Sequence, residues 1–458
     1  MTSIKDVELT SPAFRADPYP TYARWRAEAP VCRAKLPDKQ TVWLVSRYDD
    51  AVTVLKDPRF ANDREKVMTP EQAARLPWTP SVVKRLSRMM LSLDAPDHTR
   101  LRALVHKAFT PGLVANLVER IQTLTDELLD AAHSRGQMDL IRDYALPLPA
   151  TIIAEMLGVP VRDRHKFQQW SNALVSASGS SWGMLMLVRP MWAFLRYIRK
   201  LVKIRQTNPR DDLVSALVHA RDAGDRLSED EMLAMIFLLL LAGHETTLNL
   251  IGNGMLALLE HPAELNRLRE DPDLIKPAVE ELLRYDSPVQ MATERYAREA
   301  VTIAGATIAR GETVIAMLGS ANRDERQFEN PDDLDITREP NRHLSFGQGV
   351  HYCVGAPLAR LEGQIAINTL LRRYPDLALA APPHELRRRR GLGLRGLASL
   401  PVSLSGRRAP AFLAKRHYVL TARNRSARPG RAEIAMPIHD WTGDPERSVR
   451  RSPCPWPK

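Results

Sequence analysis

Between Phe346 and Gly355 the chain reads FGQGVHYCVG, placing one cysteine among three glycines, a histidine and two aromatic rings. Gly347 and Gly349 strip side chains from the loop before Cys353, so a flat ligand can approach the backbone closely. The residues that follow, APLARLEGQIAINTLLRRY, repeat with helical period and set Cys353 at a helix N-terminus. Free N–H groups and the helix dipole there favour an anion and predict a lowered thiol pKa. A thiolate offered to a planar cofactor is what a haem iron takes as a proximal ligand. Three other readings of the cysteine stand beside it. One is a structural thiol in a glycine turn. Zinc would need a further cysteine pair or a spaced histidine pair, which His343, His351 and Cys353 do not supply. A phosphate loop would need a third glycine where Tyr352 stands.

The six specified positions of F-G-x-G-x-H-x-C-x-G are all present, and this pattern resembles the cytochrome P450 family of haem-thiolate monooxygenases. A second match, AGHETT over Ala242 to Thr247, falls in the middle of a long apolar helical stretch. Adjacent threonines there can bond back to the preceding turn and bend it, opening a groove for a small molecule. The resemblance implies that Thr246 steadies iron-bound dioxygen and that Glu245 relays protons. It also implies haem b as cofactor, with Cys353 as the iron ligand and His98, Arg102, Arg295 and His351 on its two carboxylates. Glu281 and Arg284, three apart in EELLRYDSP, correspond to the family's buried bracing pair. The usual third partner comes from a P-x-R-F segment. Here PDDL carries Asp333 and Leu334 instead, which leaves Arg338 as a substitute.

Positioning such a site requires a mainly α protein with a smaller β portion. Ser228 and Glu231 form a capping box, and the apolar pattern then runs to Glu260 before His261–Pro262 stops it. Roughly 30 residues at 1.5 Å each give one central helix of about 45 Å crossing the domain. Thr41–Val45 reads as a strand, and Arg298–Met317 as strand, glycine turn, strand. GLRGLASLPVSL resembles the family's closing strand pair. The resemblance spans Ser11 to Gly406, so residues 1–408 are read as the haem-thiolate domain and 409–458 as a basic, Pro/Arg-rich, disordered tail.

Composition bounds the rest. Of 458 residues 44% are hydrophobic and 26% charged, ample for a large core. Three cysteines, Cys32, Cys353 and Cys454, speak for a reducing compartment. The N-terminus lacks a signal-peptide pattern, and the run IFLLLLAG is too short for a bilayer, so a cytoplasmic protein without a membrane anchor is expected. The formal charge is +11, with ten Lys or Arg against four Asp or Glu from Ala409 onward. No nucleic-acid motif accompanies that charge, and an acidic protein partner fits it. The resemblance implies a separate ferredoxin and its reductase as electron source, with Arg360, Arg372 and Arg373 as candidate contacts. It further implies O2 as co-substrate and secondary metabolism as the setting. Walls drawn from Asn62–Met90, Ser176–Met191, Leu238–Thr246 and Val289–Ala292 are largely apolar and predict a lipophilic small-molecule substrate. Two rivals are a peroxide-driven hydroxylase, whose kind replaces the Glu245–Thr246 pair, and a non-catalytic haem sensor, which has no need of Thr246. A membrane-surface role for Met184–Lys200 is set aside for a lid over the substrate entrance, because Arg189 and Pro190 split the run.

Overall fold

The computed structural model describes residues 9–404 apart from 38, 69–87, 165, 167–169, 171–180 and 221–225; the side chains of 181–189 are likewise outside the description. The tail expected from residue 409 therefore lies outside the described residues.

Thr41–Val45 forms strand β2 as expected and pairs with β1 (Val31–Lys35) on one side. On its other side it runs parallel to β8 (Thr313–Ala316), and β5 (Arg295–Ala297) and β3 (Phe60–Ala61) complete a five-stranded sheet. The segment expected as two strands breaks into three. Ala304 and Gly305, both at positive φ, close a two-residue hairpin between β6 (Val301–Ile303) and β7 (Ala306–Ile308). Gly311, at φ +79°, turns the chain again into β8. The closing segment also departs from expectation. Its strand β10 (Pro401–Ser403) pairs not with a neighbour in sequence but with β4 (Gln137–Asp139) and β9 (Ala378–Leu379).

Helices supply the rest of the frame: α1 (Asp97–Ala108), α2 (Val118–His133), α3 (Pro147–Met156), α4 (Ser181–Thr207), α5 (Glu229–Glu260), α6 (Ile275–Tyr285) and α7 (Ala356–Arg373). Both halves of the Ser228–Glu231 capping box form at the start of α5. Its 32 residues span about 48 Å. It is long and apolar enough to cross a membrane, yet 67% of that window is buried inside the fold, as befits a core helix. α5 packs against α3, α6 and α7. A Cβ at Gly363 of α7 would come within 2.9 Å of Leu250, so the small residue sets the close α5–α7 approach. Pro190 does not split its segment: α4 runs through it as one helix, so local proline signals are overridden there.

Asp286, just past α6, ties the two ends of the chain together. It accepts bonds from Tyr19 (2.7 Å), Arg395 (2.6 Å) and Arg388 (3.0 Å). Arg323 lies between the rings of Tyr19 and Tyr285, 3.8 and 3.9 Å from their centroids.

Candidate active site

The cysteine loop takes its shape from two glycines in the left-handed region, Gly347 at φ +69° and Gly349 at φ +74°. A Cβ at Gly349 would lie 3.0 Å from the Leu55 carbonyl oxygen, whereas one at Gly347 would meet nothing within 4 Å. The Cys353 N–H donates to the Phe346 carbonyl (3.0 Å) and Tyr352 N–H to that of Gly349 (3.0 Å). Arg102, on α1, pins the loop by donating to the Tyr352 carbonyl at 2.8 Å. Cys353 retains exposed surface at the mouth of this loop. Burial pushes the thiol pKa up; the Gly355 and Ala356 N–H groups and Arg102 pull it the other way. The lowered thiol expected from the helix N-terminus is thus corrected: the dipole acts, but burial outweighs it.

Four basic side chains gather beside that loop. The rings of His98 and His351 lie 4.1 Å apart, and Arg102 and Arg295 bear on both. His98 is 2% exposed, and its Nε2 has no hydrogen-bond partner. Arg295 is buried and, among the described residues, donates to the Thr293 hydroxyl and to the carbonyls of Thr293 and Glu294. Burial and the neighbouring cations push His98 down to about 4 and His351 to about 2; burial alone leads the fall of Arg295 to about 10. Asp94 opposes this, but its oxygens already take the Asn62 and Asp63 N–H groups and Arg298. Two guanidiniums, with two imidazoles that their charge and burial keep from protonating, call for anionic company in so dry a place.

Glu245 and Thr246 stand on α5, away from direct contact with the basic group. Thr246 donates to the Ala242 carbonyl (2.8 Å) and Thr247 to that of Gly243 (3.5 Å), so both threonines bond back as expected. The helix nonetheless stays α throughout. Glu245 faces Arg389 at 3.6 Å; burial raises its pKa and Arg389 counters. Of the expected wall segments, 69–87 and 176–180 lie outside the described residues.

The chain's match to known proteins follows this geometry. A profile described as Cytochrome P450 matches residues 28–378. The protein belongs to the cytochrome P450 family. This P450 is 46% identical over 395 residues to the polyketide biosynthesis cytochrome P450 PksS of Bacillus subtilis, covering 86% of this chain and 97% of the relative. The solved PksS structure superposes with a TM-score of 0.81, covering 87% of this chain and all of that one. It is 41% identical to the 6-deoxyerythronolide B hydroxylase of Saccharopolyspora erythraea, over 89% of this chain and 100% of the relative. A structure of P450BioI with an acyl carrier protein bearing hexadec-9Z-enoic acid gives a TM-score of 0.78 at 42% identity, covering 86% and 100%. The P450 is accordingly an oxygen-incorporating oxidoreductase that binds haem b. The residues fit that cofactor: a thiol in a glycine loop, and beside it a basic group, its buried His98 Nε2 lacking a partner among the described residues, that suits two carboxylates.

Three further residues of this P450 were hidden from local sequence patterns or only half seen. Glu281 and Arg284, both 0% exposed in their side chains, form a two-pronged pair at 2.7 and 2.8 Å. Arg338 takes the third place, 3.2 Å from both Glu281 oxygens. Glu362, 1% exposed on α7, is held near a pKa of about 8 by burial, with a bond to Thr247 acting against it. Arg389 sits in a run of arginines that reads as solvated, and only the fold brings it to Glu245. Of the three expected docking arginines Arg372 stays half-buried, and the other two make ion pairs within the fold. Arg360 is spent on Glu280 (2.6 and 2.8 Å) and stacks on Phe346 at 4.5 Å. Arg373 is buried against Asp126 and Asp130 of α2. Only Arg373 is withdrawn from the surface; Arg360 keeps 29% of its side chain exposed.

Proposed function

We propose that Cys353 supplies a thiolate to haem iron, that His98, Arg102, Arg295 and His351 hold the haem carboxylates, and that Glu245 and Thr246 move the protons. The observation that carries this reading is the buried basic group beside the cysteine loop, whose His98 Nε2 has no hydrogen-bond partner among the described residues. When bound, the haem supplies the chemistry by which dioxygen is reduced and one of its oxygen atoms enters the substrate.

The chain's own residues then do four things. Cys353, below the first turn of α7, keeps a negative sulfur next to the N–H groups of Gly355 and Ala356 once a cation neutralises it. The basic group pairs with the two carboxylates and fixes the orientation of the ring. Thr246 offers a hydroxyl from the middle of α5, and Glu245 exchanges a proton at its carboxyl oxygens with it or with water. The apolar run Leu238–Leu241 keeps the remaining space dry.

The substrate is a lipophilic acyl or polyketide-like molecule. Apolar wall segments support this, as do the polyketide and fatty-acyl contexts in the names of relatives. Electrons arrive from a separate ferredoxin and its reductase in the cytoplasm, and the formal charge of +11 favours an acidic donor of that kind. Reduced protein under carbon monoxide tests the core of the reading. The wild type is expected to give the red-shifted band of a sulfur-ligated adduct, and Cys353→Ala to lose it. Persistence of the band in that variant overturns the assignment.

A further inference from the structure

We propose that Arg389 is a positioning residue for Glu245: the C-terminal hairpin holds its guanidinium against the carboxylate and so governs how readily Glu245 takes up a proton from the adjoining cleft. The inference rests on the reading of Glu245 as the proton-moving acid.

The geometry begins on one face of α5. Glu245, Asn249 and Asn253 recur every four residues, so they line up along the helix. The segment 387–398 lies along that line as a strap and meets all three. Arg389 faces Glu245 at 3.6 Å. Gly396 abuts Asn249 so closely that a Cβ there would fall 1.8 Å from its Oδ1. Arg388 donates to Asn253 Oδ1 at 2.7 Å, and Asn253 Nδ2 donates to the Arg395 carbonyl at 2.9 Å. The strap is itself closed by Arg389 N–H to the Gly396 carbonyl (2.9 Å) and Ala398 N–H to that of Arg387 (2.8 Å). Both ends are anchored in Asp286 through Arg388 and Arg395. Arg389 therefore reaches Glu245 from a fixed backbone and not from a loose loop.

The pair is asymmetric toward water. The Arg389 side chain is 32% exposed and that of Glu245 only 12%. Arg389 also lines an open cleft with Arg15, Tyr22, Leu392 and Leu394, whereas Glu245 does not, so the acid adjoins that cleft through Arg389. No other charge competes for the carboxylate among the described residues. α7 presents Glu362, which bonds Thr247; α3 presents Glu155, which is turned to Arg120 and Arg164. His244, next in sequence, bonds the Leu240 carbonyl, and burial lowers its pKa, with Arg389 acting in the same direction. Burial favours the protonated acid and Arg389 favours the carboxylate, so moving one side chain shifts the balance.

The test uses haem-loaded wild type, Glu245→Gln, Arg389→Gln, Arg389→Met and Arg389→Lys. Infrared titration follows the carboxyl band that Glu245→Gln abolishes. Both neutral replacements are expected to raise its midpoint by about one unit, a tenfold gain in proton affinity, while lysine keeps it near the wild-type value. Using two neutral variants prevents a packing fault in either from deciding the outcome. An unchanged midpoint in both overturns the proposal. Product yield per electron pair, measured against pH with a surrogate ferredoxin, is expected to shift in the same direction. If Glu245→Gln leaves that yield unaltered, the reading of Glu245 fails instead, and the infrared midpoint still judges whether Arg389 controls the carboxyl group.

Discussion

Replacing Glu362 by glutamine should stabilise the protein, by an amount that grows with pH. The side chain is 1% exposed, one of its oxygens has no partner, and burial lifts its pKa from 4.5 to about 8. In the unfolded chain the acid ionises above its ordinary value, whereas the folded protein must keep the proton. Because the native state binds the extra proton, stability is full below about pH 4.5 and is lost as pH rises toward 8. The loss is about 1.4 kcal/mol per unit, so about 3 kcal/mol by pH 7 and near 5 at the plateau. Glutamine has no proton to hold and keeps the shape. With an unfolding entropy of about 2 cal/mol/K per residue over roughly 400 residues, 3 kcal/mol corresponds to about 4 °C in Tm. Thermal unfolding of both proteins at pH 5, 6, 7 and 8 reads the gap directly. A gap that stays constant across that range, or that favours glutamate at pH 8, refutes a buried neutral acid at this position.

Two other substitutions probe the scaffold of the site. Arg338→Ala removes a cationic partner of a fully buried carboxylate and is expected to cost about 2 kcal/mol in denaturant unfolding; Arg338→Lys should restore only part of it, since one ammonium cannot both meet Glu281 and keep the bonds to the Glu329 and Asp333 carbonyls. Gly349→Ala is expected to lose more stability and haem content than Gly347→Ala. Both glycines sit at positive φ, worth about 1–2 kcal/mol to an L-residue, but only Gly349 also presses on the Leu55 carbonyl. Equal losses would show the backbone angle alone to matter.

What could be read from the chain without coordinates follows physical range. The capping box of α5, the glycine loop before Cys353 and the Glu281–Arg284 pair are each written within about ten residues, and each forms as expected. Partners remote in sequence were beyond such reasoning. Nothing near Glu245 announces Arg389, and nothing in ARLEGQIAINTLLRR says that Arg360 and Arg373 find acids inside the fold. Pro190 misled for the converse reason: a local breaker was overruled by the packing around α4. Arg338 was named as a substitute only because the family pattern had left a gap, and the fold gives it that place.

Asp286 gives the molecule a particular birth order. Tyr19 near the beginning and Arg395 near the end share this one carboxylate, and Arg395 also reaches back to the carbonyls of Arg15 and Ala16. On the ribosome, the carbonyls of Arg15 and Ala16 must wait for Arg395, made some 380 residues later, before these bonds can close. The opening segment is thus made early yet completed late: a chain cut short before Arg388 keeps the Tyr19–Asp286 bond but lacks both arginines that share that carboxylate.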